Sequence, residues 1–141
     1  MTRYAISFLA LSTLVGCSGS TSLLSSDGKD DTQRAAWAAT VKYPTDKKPS
    51  TDLKATLVVD GSDLKIYNAT TQQLTDIKVW VNGTYVTRVD RISANGHLTL
   101  SRGEFFDSIG TKLSNRDVEI ARIEIETLDG HLYTLQGPIR E

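Results

Sequence analysis

Two histidines, His97 and His131, three glutamates at positions 119, 124 and 126, and one cysteine, Cys17, are the side chains of this 141-residue chain best suited to chemistry. Zinc binding would ask for histidines in a His-x-His or His-Glu-x-x-His spacing, and neither histidine has such a neighbour. Each follows a turn glycine, Gly96 or Gly130, as turn-adjacent polar residues do. Paired carboxylates could hydrolyse a glycoside, but Glu124 and Glu126 alternate with Ile123 and Ile125, so Glu119, Glu124 and Glu126 read as the solvent face of a strand. A serine hydrolase would need a Gly-x-Ser-x-Gly elbow; Gly61-Ser62-Asp63 is a turn instead. No phosphate-cradling glycine run is present. Asp27, Asp30 and Asp31 lack the alternating carboxylates and terminal glutamate of an EF-hand loop. The expectation is a chain without catalytic residues, metal or cofactor, with a small hydrolase as the distant alternative.

Cys17 has its own chemistry. A lone Arg3 precedes an apolar run over residues 5–15 that ends in Leu14-Val15-Gly16-Cys17, after which polarity returns at Ser18-Gly19-Ser20-Thr21-Ser22. The run is too short for a membrane span of about 20 apolar residues. It resembles the signal peptide and lipobox of bacterial lipoproteins. That resemblance implies removal of residues 1–16, diacylglycerol on the Cys17 thiol, an acylated new N-terminus and residence on a membrane of the bacterial cell envelope. Ser18 is not the aspartate that keeps enterobacterial lipoproteins at the inner membrane, which points to the outer membrane where a cell has two. Two or three acyl chains anchor stably where a single chain binds reversibly.

Cleavage would leave 125 residues with 15 basic and 17 acidic side chains, enough for one domain and a tether. The near balance argues against the strongly basic face that a nucleic-acid partner would require. With its only thiol lipidated, the exported domain has no disulfide and must rely on an apolar core. Residues 17–34 are poor in apolar side chains and read as a flexible tether; residues 35–141 are the domain.

Within that domain, residues 35–43 combine a helix-favouring Ala-Ala-Trp-Ala-Ala with an extended Thr-Val-Lys-Tyr-Pro exit, and Trp37 is expected to dock. Residues 43–52 carry Pro44 and Pro49 and read as a loop. Beyond Asp52 the apolar period becomes two. A two-residue turn at Asp60-Gly61 would pair Leu57 with Leu64 and Ala55 with Ile66. A type I′ turn at Asn82-Gly83 would pair Val79 with Val86, and Trp80 with Tyr85 on the opposite face, with Ile77, Val79 and Val81 inward. At the third hairpin only a three-residue loop, Leu128-Asp129-Gly130 with Gly130 left-handed, brings Ile125 to Tyr133 and Ile123 to Leu135. Val118 and Ile120 are out of phase with Ile123, which predicts a bulge or separate segment near Ala121-Arg122. Leu98 and Leu100 should face inward from a strand after the Asn95-Gly96 turn. Phe105, Phe106 and Ile109 suggest a helical turn laid across one end of the core.

About seven short strands with such turns predict an all-β fold, an antiparallel β-sandwich of immunoglobulin-like kind, with a partly closed barrel as the alternative. The Cys-Trp-Cys signature of true immunoglobulin domains is missing. The succession Ile66-Tyr67-Asn68, Ile77-Lys78-Val79-Trp80-Val81-Asn82-Gly83-Thr84-Tyr85, then Ile92, Gly96, Leu100, Phe105 and Gly110 resembles small β-rich domains of uncharacterised exported bacterial proteins, and implies a fold without an activity.

Function then rests on a surface. Trp80, Tyr85 and Tyr67 on one exposed face would form an aromatic platform for sugar rings or a partner protein, rimmed by Arg88, Arg91 and Arg102; a second sheet or the Trp37 segment covering that face would make them core instead. The expected role is structural or interactive at the envelope, with a carbohydrate- or peptidoglycan-binding module as the alternative.

Overall fold

In the computed structural model, which describes residues 30–137 and 139–140, two four-stranded sheets face each other across one core. The strands are β1 (Ala55–Asp60), β2 (Asp63–Asn68), β3 (Leu74–Val81), β4 (Tyr85–Ile92), β5 (His97–Ser101), β6 (Ile123–Glu126), β7 (Leu132–Thr134) and the two-residue β8 (Ile139–Arg140). One sheet runs β5-β2-β1-β8 and the other β4-β3-β6-β7. All pairings are antiparallel except that of β8 with β1. The result is the β-sandwich that the period-two pattern calls for. Leu57, Val59, Leu64 and Ile66 from the first sheet meet Ile77, Val79, Val81, Val89, Ile123 and Ile125 from the second, and Phe105 and Leu113 close the core between them. Among the described residues no helix is long and apolar enough to cross a membrane.

The hairpins test the turn chemistry one by one. In the first, Gly61 takes the left-handed conformation at φ +57° and the turn is Gly61-Ser62, one residue later than expected, so Leu57 pairs with Ile66 and Val59 with Leu64. The offset is even, and every side chain keeps its face. In the second, Asn82 and Gly83 have the two positive φ values of a type I′ turn, and the Thr84 amide donates to the Val81 carbonyl at 3.0 Å. Thr84 is nevertheless an extra residue: the ladder pairs Val81 with Tyr85, Trp80 with Val86 and Val79 with Thr87. The expected pairing of Trp80 with Tyr85 does not form.

Asn82 explains the extra residue. Its backbone amide donates to the Arg122 carbonyl at 3.0 Å, its side-chain amide to the Glu119 carbonyl at 2.8 Å, and its Oδ1 accepts from the amides of Ala121 and Arg122. Tying residues 119–122 to the end of β3 fixes Asn82 as part of that connection, and Thr84 absorbs the offset as a bulge. The same bonds hold the expected separate segment before β6.

The third hairpin has the predicted three-residue form. Ile125 pairs with Tyr133, the Leu135 amide reaches the Ile123 carbonyl, and Gly130 lies at φ +82°. Further departures are local. A helix, α1 (Asp31–Thr40), begins inside the expected tether because Asp30 caps it: Asp30 Oδ1 accepts from the Gln33 amide at 2.8 Å. The chain leaves the helix at Val41 in an extended conformation ahead of Tyr43-Pro44. The helical turn near the phenylalanines is a single 3-10 turn at Arg102–Glu104, after which Phe105 enters the main core and Phe106 the opposite side of the second sheet. Ile109 points outward, 79% exposed, at the tip of the loop that follows.

Candidate functional site

The outer face of the second sheet is where polar chemistry collects. Register places two rows of side chains across it: Val86, Trp80, Glu124 and Thr134 in one, and Arg88, Lys78, Glu126 and Leu132 in the next. Helix α1 and the chain after it lie over these rows, so Ala38, Trp80, Val86, Phe106 and Leu132 form a second apolar cluster, with Ala35, Trp37, Val41 and Tyr43 packed on it. Trp80 is 2% exposed. Its indole meets the Tyr43 ring edge-on, with centroids 5.4 Å apart.

Beneath this cover Glu124 and Glu126 are buried, which corrects their reading as a solvent face; Glu119 alone is exposed, in the loop before β6. Carboxylates at these depths need partners, and both have them. Tyr43 Oη donates to Glu124 Oε1 at 3.0 Å, and Arg122 Nε stands 3.3 Å from Glu124 Oε2 as an ion pair without a well-directed hydrogen bond. Trp80 Nε1 donates to Glu126 Oε2 at 3.1 Å, and Lys78 Nζ lies 3.0 Å from Glu126 Oε1. Desolvation first, then the hydrogen bond and negative charge of Glu124, push the Tyr43 phenol above its ordinary value, against the lowering effect of Arg122. The strand keeps its acids buried because Tyr43, the β3 side chains Lys78 and Trp80, and Arg122 just before β6 converge on them.

The aromatic platform therefore does not exist as expected. Trp80 lies under α1, Tyr85 points into the main core on the other side of its sheet, and Tyr67 sits on the outer face of the first sheet. Thr84 is the physical cause for Trp80 and Tyr85, since a one-residue offset exchanges the faces of β4. Tyr67, 39% exposed, has His97 beside it across the β2–β5 ladder, with rings 5.5 Å apart. His131 lies near Tyr133 and Asp129, its Nδ1 at 3.5 Å from the Tyr133 hydroxyl and 3.6 Å from Asp129 Oδ2. Of the three arginines, Arg88 pairs with Asp76, Arg102 donates to the Val118 carbonyl at 3.3 Å, and Arg91 lines a shallow depression with Gln73, Thr75 and Asp90. Cys17 and Asp27 lie outside the described residues. Among the described residues, no group of three or more His, Cys, Asp or Glu is placed to hold a metal ion.

Two cavities border the covered face. An open groove of about 720 Å³ runs between residues 47–52 and the β6–β7 hairpin, where Asp129, His131 and Tyr133 face Lys47, Lys48 and Asp52. A smaller, more enclosed pocket of about 240 Å³ lies at the edge of α1, lined by Trp37, Asp76, Lys78, Arg88, Glu126 and Leu128 among others. Lys78 and Arg88 are directly opposite each other on β3 and β4. Like charges so placed repel, and the pocket resolves this with an acid for each. Arg88 Nε and Nη2 both reach Asp76 Oδ1 at 2.7 Å, and Lys78 takes Glu126. Sequence reasoning singled out Arg88 but not this group. Opposing Lys78 to Arg88 depends on the bulge at Thr84, so the sequence carries no signal for the group.

Two motifs that match a glycosylation sequon prove to be structural. Asn68 is 1% exposed; its side-chain amide donates to the Gln72 and Ser93 carbonyls and its Oδ1 accepts from the Thr70 amide and hydroxyl, joining the ends of β2 and β4. Asn82 is the tie already described. Comparison with protein-family models, with curated proteins and with solved structures finds no match to this chain.

Proposed function

We propose that this protein is a lipid-anchored, non-catalytic interaction module of the bacterial cell envelope. The observation that carries the reading is the sequence Leu14-Val15-Gly16-Cys17 at the end of a short apolar run, with only residues 18–30 between that cysteine and helix α1. A lipidated Cys17 would hold the sandwich close to the membrane, and the outer membrane is the favoured site in a cell with two. The folded part supports an interaction role through its open groove, its edge pocket and the uncovered outer face of the first sheet. Glu124 and Glu126, the carboxylates of β6, are bonded to internal partners, Tyr43 and Trp80.

The test is Cys17→Ala in the native host, followed by radiolabelled palmitate and detergent phase partitioning. Wild type is expected to carry label and enter the detergent phase, and the variant to do neither. Equal partitioning of both into the aqueous phase would refute the anchor. Crosslinking in intact envelopes, with the wild-type protein as bait and Cys17→Ala as control, tests the interaction role.

A further inference from the structure

The pocket at the edge of α1 combines features that select a ligand by charge. Its four charged groups, Asp76, Lys78, Arg88 and Glu126, are two acids and two bases, already paired with one another. The set carries no net charge to attract an ion, and an ion that displaced an acid or a base from its pair would leave the other member uncompensated, so a neutral ligand is favoured. Hydrogen-bonding capacity remains all the same. Because Arg88 sends both Nε and Nη2 to Asp76 Oδ1, Asp76 Oδ2 and Arg88 Nη1 stay available, and Lys78 uses one ammonium contact on Glu126. An acceptor and several donors thus lie in a pocket that Trp37 also lines, with Arg88 and Asp76 more than a third exposed and within reach of solvent. Glu126, 8% exposed and bonded to Trp80 Nε1, fixes the floor.

Neutral molecules that need both donors and acceptors, and that gain from an aromatic surface, are sugars. A volume of about 240 Å³ falls below the range of about 300–1,000 Å³ usual for drug-sized ligands and admits one ring rather than a chain. We infer that the pocket bounded by Trp37, the Asp76–Arg88 pair and the Lys78–Glu126 pair binds a single neutral pyranose residue of an envelope glycan. This gives the proposed interaction role a ligand class and rests on that role for its biological setting.

Saturation-transfer NMR on the full chain in detergent, with N-acetylglucosamine, glucose and glucuronate as probes, tests the inference. Neutral sugars are expected to bind at about millimolar affinity and glucuronate at least about tenfold more weakly. Trp37→Ala should weaken neutral-sugar binding by about tenfold or more. Trp37 also packs on the second apolar cluster, so a second variant guards against misfolding. Asp76 has a left-handed φ of +49°, which asparagine tolerates, and Asp76→Asn leaves the pocket with one surplus positive charge. That variant is expected to reverse the preference in favour of glucuronate, a change that loss of structure would not produce. Absence of transfer from any neutral sugar at tens of millimolar, or an unaltered preference in a folded Asp76→Asn protein, overturns the inference. Envelope crosslinking that succeeds while the sugars fail overturns the pocket alone, whereas sugar binding without palmitate on Cys17 overturns the anchored role and leaves the pocket standing.

Discussion

The two outer faces of the sandwich are built from the same alternation and have opposite fates. On the first sheet, outward positions carry Thr56, Val58, Lys65, Tyr67, His97 and Thr99, and they remain at least partly exposed. On the second sheet the outward positions include Trp80, Val86, Glu124, Glu126 and Leu132, and α1 with the Tyr43 segment buries them. The edges differ too. Phe106 bridges to β4 at Val86 and Ser50 bridges to β7 at Tyr133, while β5 stands at the edge of the first sheet. Outward-facing is therefore not the same as solvent-facing. A sheet face with a tryptophan and two carboxylates asks for a cover that can satisfy both.

The strongest way to break the contrast is Trp80→Ala. A buried aromatic removed from the covered face is expected to cost about 3–5 kcal/mol, measured by urea or thermal unfolding. A change within about 0.5 kcal/mol would mean that α1 does not cover this face. Next comes Glu124→Ala, which strands the Tyr43 hydroxyl and frees Arg122. Arg122 is half exposed and regains water, so a loss of about 1–3 kcal/mol is expected rather than the larger cost of a fully buried partner. Wild-type stability after this change would show that the carboxylate is not bonded as described.

Gly130→Val tests the hairpin that carries Glu126 into place. Glycine alone is at ease at φ +82°, and a Cβ there would stand 2.9 Å from Lys47 Nζ, so a loss of more than about 1 kcal/mol is expected. On the open face, Tyr67→Ala and His97→Ala should shift stability by no more than about 0.5 kcal/mol. A large loss from either would show that this face also has a cover.

The smallest effect is on pH dependence. A phenol whose value is raised by folding holds its proton more tightly in the native state. Its contribution is complete below the unfolded value of about 10 and is lost as pH rises through the folded value. Wild-type stability should fall more steeply above about pH 10 than that of Tyr43→Phe. Identical slopes would remove Tyr43 from the buried network.

Local chemistry was readable where it was self-contained. The Leu128-Asp129-Gly130 loop followed from the apolar phases of Ile123, Ile125, Tyr133 and Leu135, because only one loop length matched them. Ile77, Val79 and Val81 were legible as core for the same reason. At Asn82-Gly83 the turn type was legible and the register was not, since Thr84 is bulged by bonds to residues some forty positions away. The pocket residues were hidden for that same reason, as opposing Lys78 to Arg88 depends on the register.

Residue order carries the hydrophobic period, and with it the strands, the approximate turn sites and one inward set of side chains from each of β1, β2 and β3. Burial of those sets is favoured whatever else the chain does, so the pattern suffices. Which outer face is covered, the burial of Glu124 and Glu126 and the parting of Trp80 from Tyr85 follow from long-range contacts instead. A carboxylate is stable in the interior only when an aromatic hydroxyl, an indole or a cation arrives from elsewhere in the chain, and a strand's own alternation does not encode that arrival.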